Sequence, residues 1–326
     1  MILGAIFSII NNSRYIMKKA SFYKILSYLI VLALFFFLGR TLLNNWQKIK
    51  EYQFSFNYTY LAVSWVFATL NIISLAFIWK KIFQLLDPQQ ALSNIKAFKI
   101  FIYSWFGKYM PGKIWQPLGV VYLGRQEGLP VKTLTISTIF DNVLFLVSAF
   151  MLSLASLSIT LGKGLLSFYI IGGIIIIGGL ILVHPKVFYP ILNFALRKLK
   201  MPAFFEQEAP LLTYKKIIQI IFCYFGAIIL SGTGFFFLIN SITYLPWQDI
   251  VGIIGIFTLA NAMGVVAIFA PSGLGIREGT LTGLLPFYFP LSLAILISLL
   301  ARVWATIPEL ILFGFTYCYY RFKKRV

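Results

Sequence analysis

"MPGKIWQP" at 110–117 and "APSGLGIREG" at 270–279 each place a proline-glycine break and a cationic side chain inside sequence that is otherwise apolar. The surroundings decide how those breaks are read. The chain is 60% hydrophobic and 18% aromatic, with 11% charged residues over 326 positions. Its mean hydropathy is +0.88, whereas a soluble domain carries roughly a quarter charged residues. Crossing a hydrocarbon core takes about 20 apolar residues as helix. The runs 22–38, 58–79, 134–159, 165–183, 217–238, 250–270 and 291–319 reach or approach that length. The sequence predicts an all-α, polytopic helical membrane protein forming one integral membrane domain over 1–326.

A formal charge of +19 fits the positive-inside rule, in which Lys and Arg collect in cytoplasmic loops. No basic tail or RNA-binding motif stands apart from the spans, so no nucleic-acid partner is expected; anionic lipid headgroups are the natural partners for this charge. Lys18, Lys19 and Lys24 precede the first long run and mark an uncleaved first helix with a cytoplasmic N-terminus. The basic stretch from Lys186 to Lys216 and the cluster Arg321 to Arg325 are then also inside. Residues 81–132 must therefore begin and end on the cytoplasmic face. The limbs on either side of Pro111-Gly112 are each short for a full crossing, so this segment is expected to be a re-entrant hairpin. By the same parity, 250–285 is expected to re-enter from outside at the break 271–275. If 250–270 spans fully instead, 291–319 must bend into a hairpin near Pro308. Three spans separate the two breaks, which gives oppositely oriented hairpins in a pseudo-symmetric inverted repeat, with halves near 1–160 and 161–326. Such paired, Gly/Pro-interrupted segments point to a midplane binding site in transporters.

Asp141, Arg277, Glu278, Arg302 and Glu309 are ionisable groups in or beside apolar runs. A charge there costs about 2.5–3.5 kcal/mol on insertion scales, so each should face a cavity or a partner. Arg302 and Glu309 are seven residues apart, on one helical face. Either the arginines coordinate an anionic headgroup through their two-point forks, or Arg302 pairs with Asp141 or Glu309 and Arg277 with Glu278 or its own turn. The glycines of "PSGLG" either cap a helix or bring backbone N–H groups to a phosphate. "GGIIIIGG" at 172–179 indicates close helix packing. His184 is the single histidine, Cys223 and Cys318 lie in apolar spans, and GxSxG and HExxH are absent. No catalytic residue, metal ligand or cofactor is expected.

These phrases resemble the transmembrane region of lysylphosphatidylglycerol synthase, a flippase-like multispan family. Its proteins carry a first motif like "PGKIG…R", a second like "PGGLGVRE", and then an Arg and a Pro in the last long span. Pro111, Gly112, Lys113, Ile114 and Arg125 match the first; Pro271, Gly273, Leu274, Gly275, Ile276, Arg277 and Glu278 match the second; Arg302, Pro308 and Gly314 follow. Trp115 stands where the family has Gly, and Asn142 follows Asp141 where the family tends to have Arg. Residues and resemblance together give an expected substrate-binding set of Gly112, Lys113, Arg125, Ser272, Gly273, Gly275, Arg277 and Arg302, with Asp141, Glu278 and Glu309 as ion-pair or proton-relay groups. No aminoacyl-transfer domain follows Val326, so the lipid-translocating half of that system is expected. The anticipated function is movement of an anionic or lipid-linked headgroup between leaflets of the plasma membrane, with both termini cytoplasmic. The alternatives are a membrane enzyme acting on a polyprenyl or glycerophospholipid, or a non-catalytic partner of a separately encoded glycosyltransferase or synthase.

Overall fold

The computed structural model describes residues 40, 56–110, 114–161, 166–198, 212–267 and 270–323. The apolar run 22–38 and the residues Pro111, Gly112 and Lys113 lie outside the described residues. Among the described residues ten α-helices follow one another: α1 Tyr58–Leu86, α2 Asn94–Trp105, α3 Trp115–Gln126, α4 Val131–Leu161, α5 Leu166–Leu182, α6 Pro185–Lys198, α7 Tyr214–Asn240, α8 Ile250–Val266, α9 Ile276–Leu284 and α10 Leu291–Lys323. Among the described residues, five helical stretches are long and apolar enough to cross a membrane. They are Tyr58–Leu86, Val131–Thr160, Tyr214–Asn240, Trp247–Val266 and Leu291–Phe322. Large apolar side chains such as Val66 on α1, Ile174 and Ile177 on α5 and Phe315 on α10 are exposed, which suits a hydrocarbon surrounding.

The run 165–183 ends in a bend of 73° between α5 and α6, where Pro185 supplies no backbone donor. Two of the four glycines of "GGIIIIGG" do what the motif promised. A Cβ on Gly172 would stand 2.7 Å from Ser158 Oγ of α4, whereas Gly173 and Gly178 face open space. One glycine stripe thus brings α5 onto α4.

The interior is built on α7, which packs against α1 and α8, while α8 also lies against α4. Phe235 and Phe257 stack at 4.4 Å between ring centroids, and Trp304 of α10 meets Phe257 edge-on at 5.9 Å. Trp304 Nε1 donates to Ser64 Oγ of α1 at 2.9 Å. Four helices are thereby fixed around one buried aromatic cluster, and α10 is held with Arg302, Ala305 and Glu309 turned toward the molecule's centre. Helix α10 runs as one element through Pro308, so the hairpin that a full crossing by 250–270 would have required near Pro308 is not formed.

Both breaks lead to tight reversals. After α2 a 3₁₀ turn, Phe106–Tyr109, leads to α3, which packs back on α2. A Cβ on Gly107 would lie 2.6 Å from Gln116 N, and one on Gly119 3.0 Å from Ser104 Cβ. Glycine at both positions lets the limbs close up. At the other end of the pair, Glu127 is held by Lys99 at 2.7 Å and Lys96 at 3.3 Å. The Lys99 hydrogen bond keeps the Glu127 carboxyl below its ordinary 4.5. This clamp is therefore complete above about pH 4.5 and is lost as pH falls through the lowered value. The second break, Pro271–Gly273, joins α8 to α9, and the two helices pack on each other. Gly273, at φ 69°, approaches so closely that a Cβ would lie 2.7 Å from Gly264 Cα.

The contact between α7 and α8 gives a test with an internal control. A Cβ on Gly232 would stand 2.7 Å from Ile254 Cγ1 and 2.8 Å from its Cα, whereas Gly226, on the same helix, has open space. Gly232→Ala is expected to destabilise by about 1–3 kcal/mol through overpacking. Gly226→Ala is expected to be neutral or to stabilise by up to about 1 kcal/mol, the helical gain of Ala over Gly. Thermal melting of the two variants in detergent distinguishes them.

Candidate functional site

The turn Phe106–Tyr109, which leads into the first break, touches the turn Pro271–Gly273 of the second. Around that contact the buried charges find their partners. Lys108 Nζ lies 2.5 Å from Glu309 Oε1 of α10, and Tyr109 Oη donates to Glu309 Oε2 at 2.7 Å. The ammonium also stands 4.3 Å from the centre of the Trp105 ring. In the second break Ser272 holds φ 51°, a left-handed conformation rare outside glycine. Two contacts hold the break. Arg302 Nη1 donates to the Ser272 carbonyl at 3.0 Å and lies 3.5 Å from Glu278 Oε1. Glu278, 1% exposed, turns its other oxygen back to accept from Gly275 N at 2.7 Å. It thus closes the N-terminus of its own helix α9 and supplies the counter-charge for Arg302 at once.

These pairings differ from the two candidates read from spacing. Arg302 pairs with Glu278 rather than with Asp141 or Glu309, and the hydrogen bonds of Glu278 go to Arg302 and Gly275 rather than to Arg277. Helical spacing reports only which side chains share a face, whereas the partner here arrives from a neighbouring element. Asp141 instead accepts from Tyr224 Oη, at 2.5 Å to Oδ1 and 3.0 Å to its own carbonyl oxygen. The amides of the second break are also committed. Gly273 N donates to Ala270 O, Leu274 N to Pro271 O and Gly275 N to Glu278. Gly273 and Gly275 therefore set the turn's backbone, both at positive φ.

Between the breaks and α1, α4, α7, α8 and α10 lies a cavity of about 250 Å³. Its walls carry Lys108, Arg277, Asp141 and Glu309 together with Asn71, Asn142, Ser231, Thr258, Asn261 and Ser272, set among aromatic and aliphatic side chains. Arg277 stands apart within this group. Its guanidinium lies over the Phe257 ring at 5.0 Å, and among the described residues it makes no hydrogen bond or ion pair with another side chain. Arg302 serves as a structural clamp beside the cavity. Arg125 is exposed at the end of α3 and is not part of the lining. Gly112 and Lys113 lie outside the described residues.

Sequence reasoning left Lys108, Tyr109 and Tyr224 out of the candidate set. A lone lysine ending an apolar helix just before a proline-glycine break was a usable signal for Lys108. Tyr224 carries none, being one aromatic residue in a run of them.

Fold and site together define a multi-pass helical membrane protein whose interrupted helices converge on a charged, partly polar cavity. A family model for the lysylphosphatidylglycerol synthase transmembrane region matches residues 24–312, and the chain belongs to that family. No curated protein matches the chain.

The clamp yields a double-mutant test. Arg302→Ala strands Glu278 without its cation and is expected to lower stability by about 3–5 kcal/mol. Adding Glu278→Gln, whose amide oxygen still accepts from Gly275 N, should restore much of that loss. Adding Asp141→Asn or Glu309→Gln should restore none. Melting temperatures of the four variants decide the partner; rescue by Glu309→Gln would show a different pairing.

Proposed function

We propose that the protein moves an anionic or lipid-linked headgroup between leaflets, with the cavity between the two breaks as its binding site. The observation that carries this reading is Arg277: a cation on the cavity wall, backed by an aromatic ring, and among the described residues in direct hydrogen-bonded contact with no carboxylate. Burying an unpaired charge is costly, and an incoming anionic headgroup would supply the missing partner with a planar two-point contact. Lys108 stands on the same wall, already neutralised by Glu309. The aliphatic and aromatic lining from α1, α4 and α7 suits the glycerol and upper acyl region of a lipid.

The two broken segments supply the path. Helices α2 and α3 are 12 residues each, roughly 18 Å at helical rise, against a hydrocarbon core of about 30 Å. We take them as a hairpin entering from the cytoplasm, and α8–α9 as its counterpart from the opposite face, in an inverted repeat. Irregular backbone at membrane depth persists where protein or a water-filled cavity satisfies it, which agrees with the meeting of the two turns. The basic residues Lys186, Lys215, Lys216 and Arg321 favour cytoplasmic termini in a plasma membrane.

Binding is the direct test. Native mass spectrometry of detergent-solubilised protein titrated with phosphatidylglycerol should show Arg277→Ala binding about 10- to 100-fold more weakly, the equivalent of about 1.5–3 kcal/mol for a charge-assisted hydrogen bond. Arg277→Lys should recover only part of that, because an ammonium lacks the fork. Phosphatidylcholine should discriminate little between the variants. Equal phosphatidylglycerol binding by Arg277→Ala and the parent protein would remove the headgroup from this site.

A further inference from the structure

The cavity holds a second group with unfinished electrostatics. Among its carboxylates, Glu309 faces Lys108, and nearby Glu278 faces Arg302. Asp141 faces no cation among the described residues; its contact is the Tyr224 hydroxyl. Among the described residues, the elements packed around it bring no other charge into contact with it. Helix α1 contributes Asn71 to the cavity and α8 contributes Thr258 and Asn261, while α3 contributes Gln116. Helix α5 carries Tyr169, which is exposed. On α7, Cys223 beside Tyr224 is taken up with Lys81, whose Nζ lies 3.6 Å from its sulfur. On α4 itself the neighbour is Asn142.

Those neutral neighbours turn donors away from the cavity. Thr258 Oγ1 donates to Ile254 O, Asn261 Nδ2 to Phe257 O and Asn142 Nδ2 to Thr138 O, each to its own helix. What remains on this wall is rich in oxygen acceptors. Across the connected site, Lys108, Arg277 and Arg302 stand against Asp141, Glu278 and Glu309. Among the described residues the charges balance while Asp141 is ionised, and a bound anion then leaves a net negative charge in a low-dielectric site. Protonating Asp141 removes that excess.

We propose that Asp141 is a proton-coupling site, taking up one proton with each anionic headgroup and releasing it on the opposite side. This rests on the headgroup reading above and adds its energy source. An O–H bond forms at an Asp141 carboxylate oxygen, with the proton drawn from water in the acidic compartment. It breaks when the cavity opens to the other compartment, where water takes the proton. Nothing is oxidised or reduced, and headgroup and proton move in the same direction. Tyr224 holds the carboxylate in place between these events.

The test uses the full chain in phosphatidylcholine vesicles doped with NBD-phosphatidylglycerol, with dithionite reporting the outer-leaflet fraction. A pH difference of one unit should concentrate the labelled lipid in the leaflet facing the alkaline compartment, with one-to-one coupling setting a limit of about tenfold. Pyranine trapped inside should report proton entry accompanying lipid movement. In Asp141→Asn, whose amide oxygen still accepts from Tyr224, the leaflet ratio should return to near one, whatever the rate of movement. A sodium difference should leave the parent ratio unchanged. A parent ratio indifferent to pH, a ratio driven by sodium, or an Asp141→Asn variant that still follows the pH difference would each overturn the coupling while leaving the headgroup site standing. Should Asp141→Asn fail to fold, the parent's own ratio and pyranine signal decide. Failure of the headgroup reading registers separately, as phosphatidylglycerol binding that ignores Arg277→Ala.

Discussion

A carboxylate that is 1% exposed, Glu278, holds the centre of this molecule together. The second break leaves backbone groups outside any helix, and at membrane depth an unsatisfied backbone group costs several kcal/mol. Glu278 answers on one side by accepting from Gly275 N, and Arg302 answers on the other by donating to the Ser272 carbonyl. Each of the two charges also finds its counter-charge in the other. The left-handed Ser272 and the close approach of Gly273 to Gly264 persist because that knot overdetermines them. Arg302 is in turn set in place by the aromatic cluster that orients α10 through Trp304. Packing of α1, α7, α8 and α10 thus reaches the site through a single side chain two residues away from Trp304.

The first break is tied to the same helix by different chemistry. Lys108 and Tyr109 both converge on Glu309, seven positions beyond Arg302 on α10. One face of α10 therefore holds both breaks, one through a cation and one through an anion. Among the described residues, that arrangement leaves Arg277 on the second break and Asp141 on α4 as cavity charges without an ion pair of their own. A carrier for an anion that also moves a proton would use such a pair.

Much of this was legible in the sequence, and the limit falls at tertiary pairing. Apolar runs longer than a bilayer needs read directly as α1, α4, α7 and α10, because length and hydropathy suffice for that inference. Proline and glycine located both breaks, since their backbone constraints act locally. The identity of the buried charged residues was equally plain. Their partners were not: Arg302 and Glu309 share a helical face and invite pairing, yet each is claimed by a side chain from another element. Glu278 next to Arg277 invited a local pair, but a capping carboxylate three residues beyond Gly275 points back along its own helix. Tyr224 was invisible because an aromatic residue in an apolar span carries no mark of a hydroxyl put to use.

The most direct measurement is a cryo-electron microscopy map of the protein in phosphatidylglycerol nanodiscs. The account predicts headgroup phosphate density inside the cavity within about 4 Å of the Arg277 guanidinium, the reach of an ion pair, with Arg302 still on Glu278 and the Ser272 carbonyl. Phosphate density confined to the lipid-facing surface, with Arg277 paired to a protein carboxylate, would contradict it.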